Sequence, residues 1–250
     1  MNRTIFITGA TSGFGEACAR RFAADGDRLI LTGRRKDRLE RLQTELSGQT
    51  QLLPLVFDVQ DRKAVFAAVA GLPDAWKRID ILINNAGLAL GRDYFEEADL
   101  DDWETMMQTN VMGLLYVSRA VLPLMIPAGR GHIINMGSVA GKEVYERGNA
   151  YCGSKFAVDA LSRGMRIDLL RHGIKVTAIH PGAAETEFSL VRFKGDAEQA
   201  KKVYQGFTPL SAEDVADVVH YCASLPPNVC INDLVLTPVA QADGIYFHKR

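Results

Sequence analysis

Residues 4 to 15 read Thr4-Ile5-Phe6-Ile7-Thr8-Gly9-Ala10-Thr11-Ser12-Gly13-Phe14-Gly15. The first five predict a short buried strand, and the apolar positions Ala17, Ala19 and Phe22 beyond the glycines predict a helix. Glycines let a backbone approach a phosphate, and a helix N-terminus offers free N–H groups and a positive dipole end. This order therefore predicts a nucleotide site, although a tight structural turn also favours glycine.

The second predicted strand, 28–32, ends at Gly33-Arg34-Arg35, before a charged helix over 36–46. In dinucleotide-binding folds an acidic residue near this point binds the ribose 2′-hydroxyl, whereas arginine accommodates a 2′-phosphate. Here Gly33 leaves no carboxylate to repel that phosphate, and two arginines supply cations. The pair therefore favours NADP over NAD, although a solvated basic pair on a surface helix is the ordinary alternative.

Strand and helix patterns alternate along the rest of the chain. Predicted strands cover 4–8, 28–32, 52–57, 79–83, 132–136, 175–179 and 233–236, and the main predicted helices cover 36–46, 61–72, 102–125, 149–171 and 212–224. Because each parallel crossover needs about a dozen or more residues, the alternation predicts one α/β domain over 1–250. Its architecture is a Rossmann-type, doubly wound, seven-stranded parallel sheet with helices on both faces. Residues 183–208 interrupt the pattern and are interpreted as a substrate-covering insertion.

Composition excludes several classes of partner. The 250 residues carry 29 Lys and Arg against 30 Asp and Glu, which gives no electrostatic reason to expect a nucleic-acid or anionic membrane partner. No apolar run of bilayer-spanning length and no secretory leader is recognised, so a cytoplasmic location is expected. Cys18, Cys152, Cys222 and Cys230 lack metal-ligand spacing, which predicts reduced thiols and no metal site.

Tyr151 and Lys155 lie four residues apart in a predicted helix, which places a phenol beside an ammonium group. The cation is expected to lower the phenol pKa into a useful range for proton transfer. The motif is weak alone, because both residue types are common on exposed helices. It gains weight because parallel strands end at one edge of the sheet, and the predicted strand ends carry Gly9, Arg34, Asp58, Asn85, Ser138 and Pro181.

Six motifs follow one another along the chain: Thr8-Gly9-x-x-x-Gly13-x-Gly15, Asn84-Asn85-Ala86-Gly87, Asn110, Ser138, Tyr151-x-x-x-Lys155 and Pro181-Gly182. With them, nearly the whole chain resembles a short-chain dehydrogenase/reductase. Two further stretches, Leu88-Ala89-Leu90-Gly91 and Val191-Arg192-Phe193-Lys194-Gly195-Asp196, resemble bacterial NADP-dependent 3-hydroxy acid dehydrogenases acting on malonic semialdehyde-like compounds. That subgroup includes relatives that resemble sulfoacetaldehyde reductases.

The resemblance implies a role for each motif. Tyr151 would be the acid toward a carbonyl, or the base toward an alcohol, and Ser138 would orient that oxygen. Lys155 would hold the nicotinamide ribose and stabilise the phenolate, and Asn110 would interrupt its helix slightly to hold a relay water. Together with the arginine pair, the residues expected to bind NADP(H) are Gly9, Thr11, Ser12, Gly13, Phe14, Gly15, Arg34, Arg35, Asp58, Val59, Asn85, Ala86, Gly87, Tyr151, Lys155, Pro181 and Gly182.

Two loops outside the shared framework carry basic residues, with Arg147 in one and Arg192 in the other. An arginine fork suits carboxylate or sulfonate oxygens, so both are expected to contact an anionic substrate beside Tyr145 and Ser138, although surface loops routinely carry arginine. The arginine at 147, where a small residue is expected in the hydroxy-acid enzymes, favours a sulfonate. The expected reaction is the reversible NADPH-dependent reduction of sulfoacetaldehyde to isethionate, or of malonic semialdehyde to 3-hydroxypropionate.

Two other functions stay open. A reductase of larger apolar carbonyl compounds would need a wide apolar pocket, and a catalytically silent NADP-sensing protein would not need Asn110, Ser138, Tyr151 and Lys155 together. The resemblance also implies that the two long predicted helices pair across dimer axes, which gives a homodimer or homotetramer. The apolar tail, 244–247, is expected to pack on another subunit or over the site.

Overall fold

A seven-stranded parallel sheet organises the computed structural model, which describes residues 3–250. The strands are β1 (Thr4–Ile7), β2 (Arg28–Gly33), β3 (Leu52–Val56), β4 (Ile81–Asn84), β5 (Gly131–Met136), β6 (Ile174–Pro181) and β7 (Asp233–Leu236). They lie in the order β3-β2-β1-β4-β5-β6-β7, and each neighbouring pair is parallel. The predicted Rossmann-type sheet is confirmed.

Helices connect the strands and cover the sheet. They are α1 (Gly13–Ala24), α2 (Lys36–Leu46), α3 (Arg62–Ala70), α4 (Leu100–Met107), α5 (Leu114–Met125), α6 (Asn149–Leu169), α7 (Glu187–Arg192), α8 (Ala197–Lys202) and α9 (Ala212–Ser224). A π-helical turn, Gln108–Gly113, joins α4 to α5. The predicted helix over 102–125 therefore begins two residues earlier and contains a local change of hydrogen-bond register.

Strand β1 shows why both faces of the sheet are covered. Ile5 and Ile7 lie in an apolar cluster with α1, α2 and α9, whereas Phe6 lies in a second cluster with α3 and α5. All three side chains are fully buried. Burying each such side chain contributes about 1.5–3 kcal/mol, so an uninterrupted apolar strand is stable only between two layers of helices.

The direction of the chain across the sheet reverses at β1. From β1 the chain adds β2 and β3 on one side, and then returns to add β4 to β7 on the other side. In open parallel sheets the ligand crevice lies at the carboxyl ends of the strands at this reversal. The segments after β1 and β4, which carry Gly9 and Asn85, therefore lie side by side at this edge.

The helical stretch Leu100–Ala128 is long and apolar enough to cross a membrane, by length and composition only. The stretch is not one continuous apolar run, because polar residues such as Asn110 and Ser118 interrupt it. Of its most apolar part, 44% is buried inside the fold, where Val117 and Val121 pack in the second apolar cluster. Helices in the core of a folded protein can have the same length and composition.

The C-terminal tail contacts the segment 183–208, which contains α7 and α8. Ala183 donates its N–H to Gln241 Oε1 at 2.8 Å, and the Phe247 ring centroid lies 5.2 Å from that of Phe207. Tyr246 remains 70% exposed. The tail therefore packs partly on its own chain, and its docking on another subunit stays a prediction, as does the covering role of 183–208.

A buried histidine makes stability depend on pH. His132 Nε2 lies 2.7 Å from Thr177 Oγ1, and burial together with the charge of Lys175 lowers its pKa from 6.5 to about 3. The unfolded chain binds a proton at this imidazole below pH 6.5 and the folded chain does not, so stability is complete above that pH and falls as the pH drops. We expect a loss of about 2 kcal/mol of unfolding free energy at pH 5 relative to pH 8.

Urea denaturation between pH 5 and pH 8 measures this loss. The variant His132→Gln keeps a polar group near Thr177 but cannot take up the proton, so its unfolding free energy should fall less steeply below pH 6.5. Equal slopes in wild type and variant would show that His132 titrates alike in the folded and unfolded chains.

Candidate active site

Hydrogen bonds lock together the two loops at the crevice. The Thr8 hydroxyl accepts the N–H groups of Asn85 at 3.0 Å and Ala86 at 2.9 Å, and Asn85 Nδ2 donates to the Thr8 carbonyl at 2.9 Å. A Cβ added to Gly15 would lie 2.3 Å from the Gly9 carbonyl oxygen. Only glycine fits at position 15, so α1 starts in close contact with both loops.

The N-terminus of α1 follows directly from the glycine loop. Gly13 opens the helix with φ of 53°, a left-handed conformation that favours glycine. The preceding Ser12 caps the helix without a side-chain hydrogen bond. A helix start without a side-chain cap is suited to binding an anion, and a diphosphate site at this point stays a prediction.

The two arginines after β2 have different surroundings. Arg34 is exposed, and its NH1 lies 3.4 Å from Asp58 Oδ2 just beyond β3. Arg35 turns back onto the glycine loop, where Nε donates to the Thr11 hydroxyl at 3.1 Å and NH2 donates to the Ser12 hydroxyl at 2.7 Å. Arg34 is thus the guanidinium that a phosphate can reach more freely, a difference between the two arginines that no sequence pattern indicates.

Asn110 lies inside the π-helical turn and is buried. Its Oδ1 accepts the Leu88 N–H at 2.8 Å, while its Nδ2 donates to the Leu88 carbonyl at 2.8 Å and to Ser154 Oγ at 3.0 Å. One amide therefore joins this helix to the loop after β4 and to α6. Its role in holding a relay water stays a prediction.

Tyr151 and Lys155 are both buried in the first turns of α6. Lys155 Nζ donates to the Met136 carbonyl at 2.9 Å and lies 6.0 Å from the Tyr151 ring centroid. Burial lowers the pKa of Lys155 to about 8. Burial also raises the pKa of Tyr151 above its usual range, although hydrogen bonding to Ser138 and the charge of Arg192 oppose this shift.

The expected lowering of the phenol pKa by Lys155 is therefore wrong for this arrangement. Loss of hydration disfavours the phenolate, and the ammonium group is hydrogen-bonded to a backbone carbonyl instead of the phenol oxygen. Tyr151 is consequently held in its protonated form, which is the form that donates a proton.

Ser138 is fixed from two sides directly after β5. Its hydroxyl accepts the Ala140 N–H at 3.1 Å, and its carbonyl oxygen lies 3.2 Å from His180 Nδ1. A Cβ at Gly137 would lie 2.4 Å from the same imidazole nitrogen, so this glycine permits the close approach of the ring. The backbone of Ser138 is therefore held against the end of β6.

A charged cluster lies behind Ser138. Lys142 Nζ is 2.9 Å from Asp159 Oδ1 and 2.6 Å from Asp233 Oδ2, and His180 Nε2 is 2.8 Å from Asp233 Oδ1. Asp159, His180 and Asp233 have the spacing of metal ligands. The Lys142 ammonium bridges the two carboxylates, and Arg163 NH2 lies 2.8 Å from Asp159 Oδ2, so two cations accompany the two carboxylates.

Arg192 and Arg147, both expected to contact the substrate, lie in different places. Arg192 NH1 donates to the Tyr145 hydroxyl at 3.1 Å, and its guanidinium carbon is 5.5 Å from the Tyr151 ring centroid. Arg147 is exposed, and its guanidinium stacks 4.0 Å from the centroid of Tyr94. Among residues 3–250, the described contacts bring Arg192 and Tyr145 to Tyr151, and they hold Arg147 on the outer surface.

Two residues near the site were not predicted, Thr186 and Phe188. The Phe188 ring centroid lies 5.6 Å from that of Tyr151, and the Thr186 side chain lies 3.5 Å from where a Cβ on Gly13 would be. Thr186 also caps α7 by accepting the Phe188 N–H at 3.1 Å. In the sequence, only the place of Thr186, five residues after Pro181 and just before a short helical pattern, indicates that it lies near the site.

A third residue without a predicted role, Glu187, contacts the nucleotide end of the crevice. It accepts hydrogen bonds from Arg35 NH1 at 2.9 Å and from Arg38 NH1 at 2.7 Å. The spacing of Arg35 and Arg38 places both near the start of α2, but their partner is about 150 positions away in sequence. No local pattern joins these three residues.

Comparisons with known proteins agree with this geometry. A family model described as "short chain dehydrogenase" matches residues 3–196. A sulfoacetaldehyde reductase of Chromohalobacter salexigens is 48% identical over 243 residues, which are 97% of this chain and 96% of the relative. The NADP-dependent 3-hydroxy acid dehydrogenase YdfG of Escherichia coli is 46% identical over 248 residues, which are 98% of this chain and 99% of the relative.

A solved structure is similar over the same length. The closed form of a serine dehydrogenase complexed with NADP+ has a TM-score of 0.93 and 46% sequence identity, and the match covers 99% of this chain and 100% of that chain. The similarity therefore extends beyond the sheet to the segment that carries α7 and α8.

Proposed function

The chain belongs to the short-chain dehydrogenase family, and from this premise we propose that it reduces a small acidic aldehyde to the primary alcohol, reversibly and with NADPH. Sulfoacetaldehyde and malonic semialdehyde are the candidate substrates. The observation that carries the proposal is the guanidinium of Arg192, which lies beside Tyr151 and is bonded to Tyr145. The relatives named sulfoacetaldehyde reductase and 3-hydroxy acid dehydrogenase support a small anionic substrate.

The enzyme is NADP-dependent, as its relatives are named. Bound NADPH supplies a hydride to the aldehyde carbon. The glycine loop and the uncapped start of α1 fit its diphosphate, and the exposed guanidinium of Arg34 fits its 2′-phosphate. We assign the remaining contacts to Asp58, Val59, Asn85, Ala86, Gly87, Lys155, Pro181 and Gly182.

Proton transfer falls to Tyr151. Burial keeps its phenol protonated, so it donates a proton to the aldehyde oxygen as negative charge develops there. The Ser138 hydroxyl donates a hydrogen bond to the same oxygen, and this bond strengthens as the charge grows. Lys155, whose pKa is about 8, is mainly cationic at neutral pH, and we assign it to the nicotinamide ribose. In the reverse reaction Tyr151 accepts the proton from the alcohol.

Arg192 provides recognition of the acid group. A guanidinium presents parallel N–H donors that match two oxygens of a carboxylate or a sulfonate. The Tyr145 ring lies next to the Arg192 guanidinium, and the Phe188 ring lies next to Tyr151. These rings exclude water from the site, and the exclusion of water strengthens the interaction between the guanidinium and the acid group. A site for larger apolar carbonyl compounds would gain nothing from a cation at this point.

Initial rates with NADPH test the proposal on a matched set of aldehydes. Sulfoacetaldehyde and malonic semialdehyde should be reduced with kcat/KM at least about tenfold above propanal, because a desolvated charge-assisted contact contributes on the order of 1.5–3 kcal/mol. Reduction of propanal as fast as the two acidic aldehydes would refute recognition of the acid group.

Arg34→Ala tests the cofactor assignment. We expect the KM for NADPH to rise about tenfold with little change for NADH, because only NADPH carries the 2′-phosphate that needs this cation. Lys36→Ala, which removes an exposed cation two residues later, is the matched control and should leave both values unchanged. Equal losses with the two cofactors in Arg34→Ala would exclude a 2′-phosphate role.

A further inference from the structure

The carboxylate of Glu187 is held by two arginines of one helix end. Glu187 Oε2 accepts from Arg35 NH1 at 2.9 Å, and Oε1 accepts from Arg38 NH1 at 2.7 Å. Each oxygen therefore has its own guanidinium partner. We call these three residues the Glu187 clasp.

The clasp is attached to the loop that would bind the cofactor diphosphate. Arg35 NH2 donates to the Ser12 hydroxyl at 2.7 Å, and Arg38 NH1 donates to the Thr11 carbonyl at 3.3 Å. The same guanidinium groups thus contact Glu187 on one side and the glycine loop on the other. Movement of α7 relative to the glycine loop would break these hydrogen bonds.

The other end of α7 forms the substrate side of the site. Arg192 Nε donates to the Gly91 carbonyl at 3.3 Å, and Gly91 donates its N–H to the Arg192 carbonyl at 2.9 Å. With six residues, α7 is too short to be stable by its own hydrogen bonds. Its orientation depends on its anchors, and Glu187 is the charged anchor at its first residue.

We propose that Glu187 is a positioning residue, and that the Glu187 clasp fixes α7 so that Arg192 lies where it binds the acid group of the substrate. This role of Glu187 rests on the proposed function, in which Arg192 binds the acid group of the substrate. The clasp thereby connects the nucleotide end of the crevice to the substrate end. Glu187 touches neither reacting atom, so its effect reaches catalysis only through Arg192.

The charges of the clasp residues separate the expected effect on the substrate from the expected effect on NADPH. The clasp contains two cations and one anion beside an anion-binding loop. Glu187→Gln removes the anion and leaves both cations, so the attraction for anionic NADPH should stay equal or increase while α7 loses its anchor. Arg38→Gln also loosens α7 but removes a cation, so NADPH binding should weaken. Both variants should therefore weaken binding of the acidic substrate, whereas only Arg38→Gln should weaken binding of NADPH.

The experiment compares wild type, Glu187→Gln, Arg38→Gln and the control Glu185→Gln, an exposed carboxylate two residues earlier. KM and kcat are measured with sulfoacetaldehyde, malonic semialdehyde and propanal, and the Kd of NADPH by fluorescence without substrate. Because the clasp side chains are partly exposed, we expect a modest effect in Glu187→Gln, with KM for the acidic aldehydes about fivefold higher and kcat little changed. The kinetics with propanal and the Kd of NADPH should not worsen.

Hydrogen exchange of the peptide covering 187–193 gives a readout that needs no turnover. It should be faster in Glu187→Gln and Arg38→Gln than in wild type and Glu185→Gln. In an Arg192→Gln background, Glu187→Gln should no longer raise the KM for acidic aldehydes.

Two results would overturn the role of Glu187: unchanged exchange in 187–193, or equal KM increases for propanal and the acidic aldehydes. If wild type fails to prefer acidic aldehydes, the proposed function fails instead, and faster exchange in both clasp variants would still support the anchoring of α7. These outcomes separate the two proposals.

Discussion

Tyr151→Phe is expected to lower kcat for aldehyde reduction by about 1,000-fold, within the range that a single general acid contributes. The variant removes one hydroxyl and keeps the ring, which packs against Phe188. The aldehyde oxygen then develops charge without a proton donor, and only the Ser138 hydroxyl remains to stabilise it.

The Kd of NADPH separates lost chemistry from a damaged site. It should change by no more than about twofold in Tyr151→Phe, because the lost interaction is made with the reacting oxygen. Cys152→Ala, at the next position of α6, is a control for disturbance of the helix and should retain most activity. A kcat for Tyr151→Phe within tenfold of wild type would remove Tyr151 from the role of acid.

Arg192→Gln is expected to lower kcat/KM for acidic aldehydes by about 100-fold while propanal is reduced as before. The guanidinium is charged and directed by its bond to Tyr145, and a charge-assisted hydrogen bond contributes on the order of 1.5–3 kcal/mol. Glutamine retains polarity and some length but loses the cation. The loss should therefore appear for anions and not for neutral aldehydes.

Arg147→Gln is the matched variant for the second arginine. Its guanidinium is exposed and stacks on Tyr94, so we expect less than about a twofold change in kcat/KM and no change in the ratio of sulfoacetaldehyde to malonic semialdehyde. A selective loss of sulfoacetaldehyde reduction in Arg147→Gln would restore the sequence-based argument that this arginine favours a sulfonate.

The fold was predictable because its signals are local and repeated. Apolar strand patterns such as Ile5-Phe6-Ile7 require cover on both faces, and Gly9, Gly13 and Gly15 mark the turn into a helix that binds an anion. The interruption at Asn110, seen as a π-helical turn, was expected only from the family resemblance, and Asn110 pairs there with Leu88 in a distant loop. The helix propensity of the residues around Asn110 does not indicate that contact.

The site was less predictable where a side chain has a choice of partners. Arg34 and Arg35 are chemically identical, and a carboxylate about 150 positions away engages one of them. Arg147 and Arg192 were equal candidates until the backbone of Arg147, with φ of 61°, and the Tyr94 ring placed the first on the surface. The pKa of Tyr151 depends on its burial in the folded chain, which a four-residue spacing cannot reveal.

The position of β1 between β2 and β4 has a consequence for synthesis of the chain. Strands β1, β2 and β3 can pair with one another as soon as they emerge, but Ile5 and Ile7 lie beside Ile81 and Ile83 of β4. Until β4 emerges from the ribosome, the apolar strand β1 is an open edge with unpaired backbone groups. Chains interrupted before β4 would therefore be prone to aggregation and dependent on chaperones.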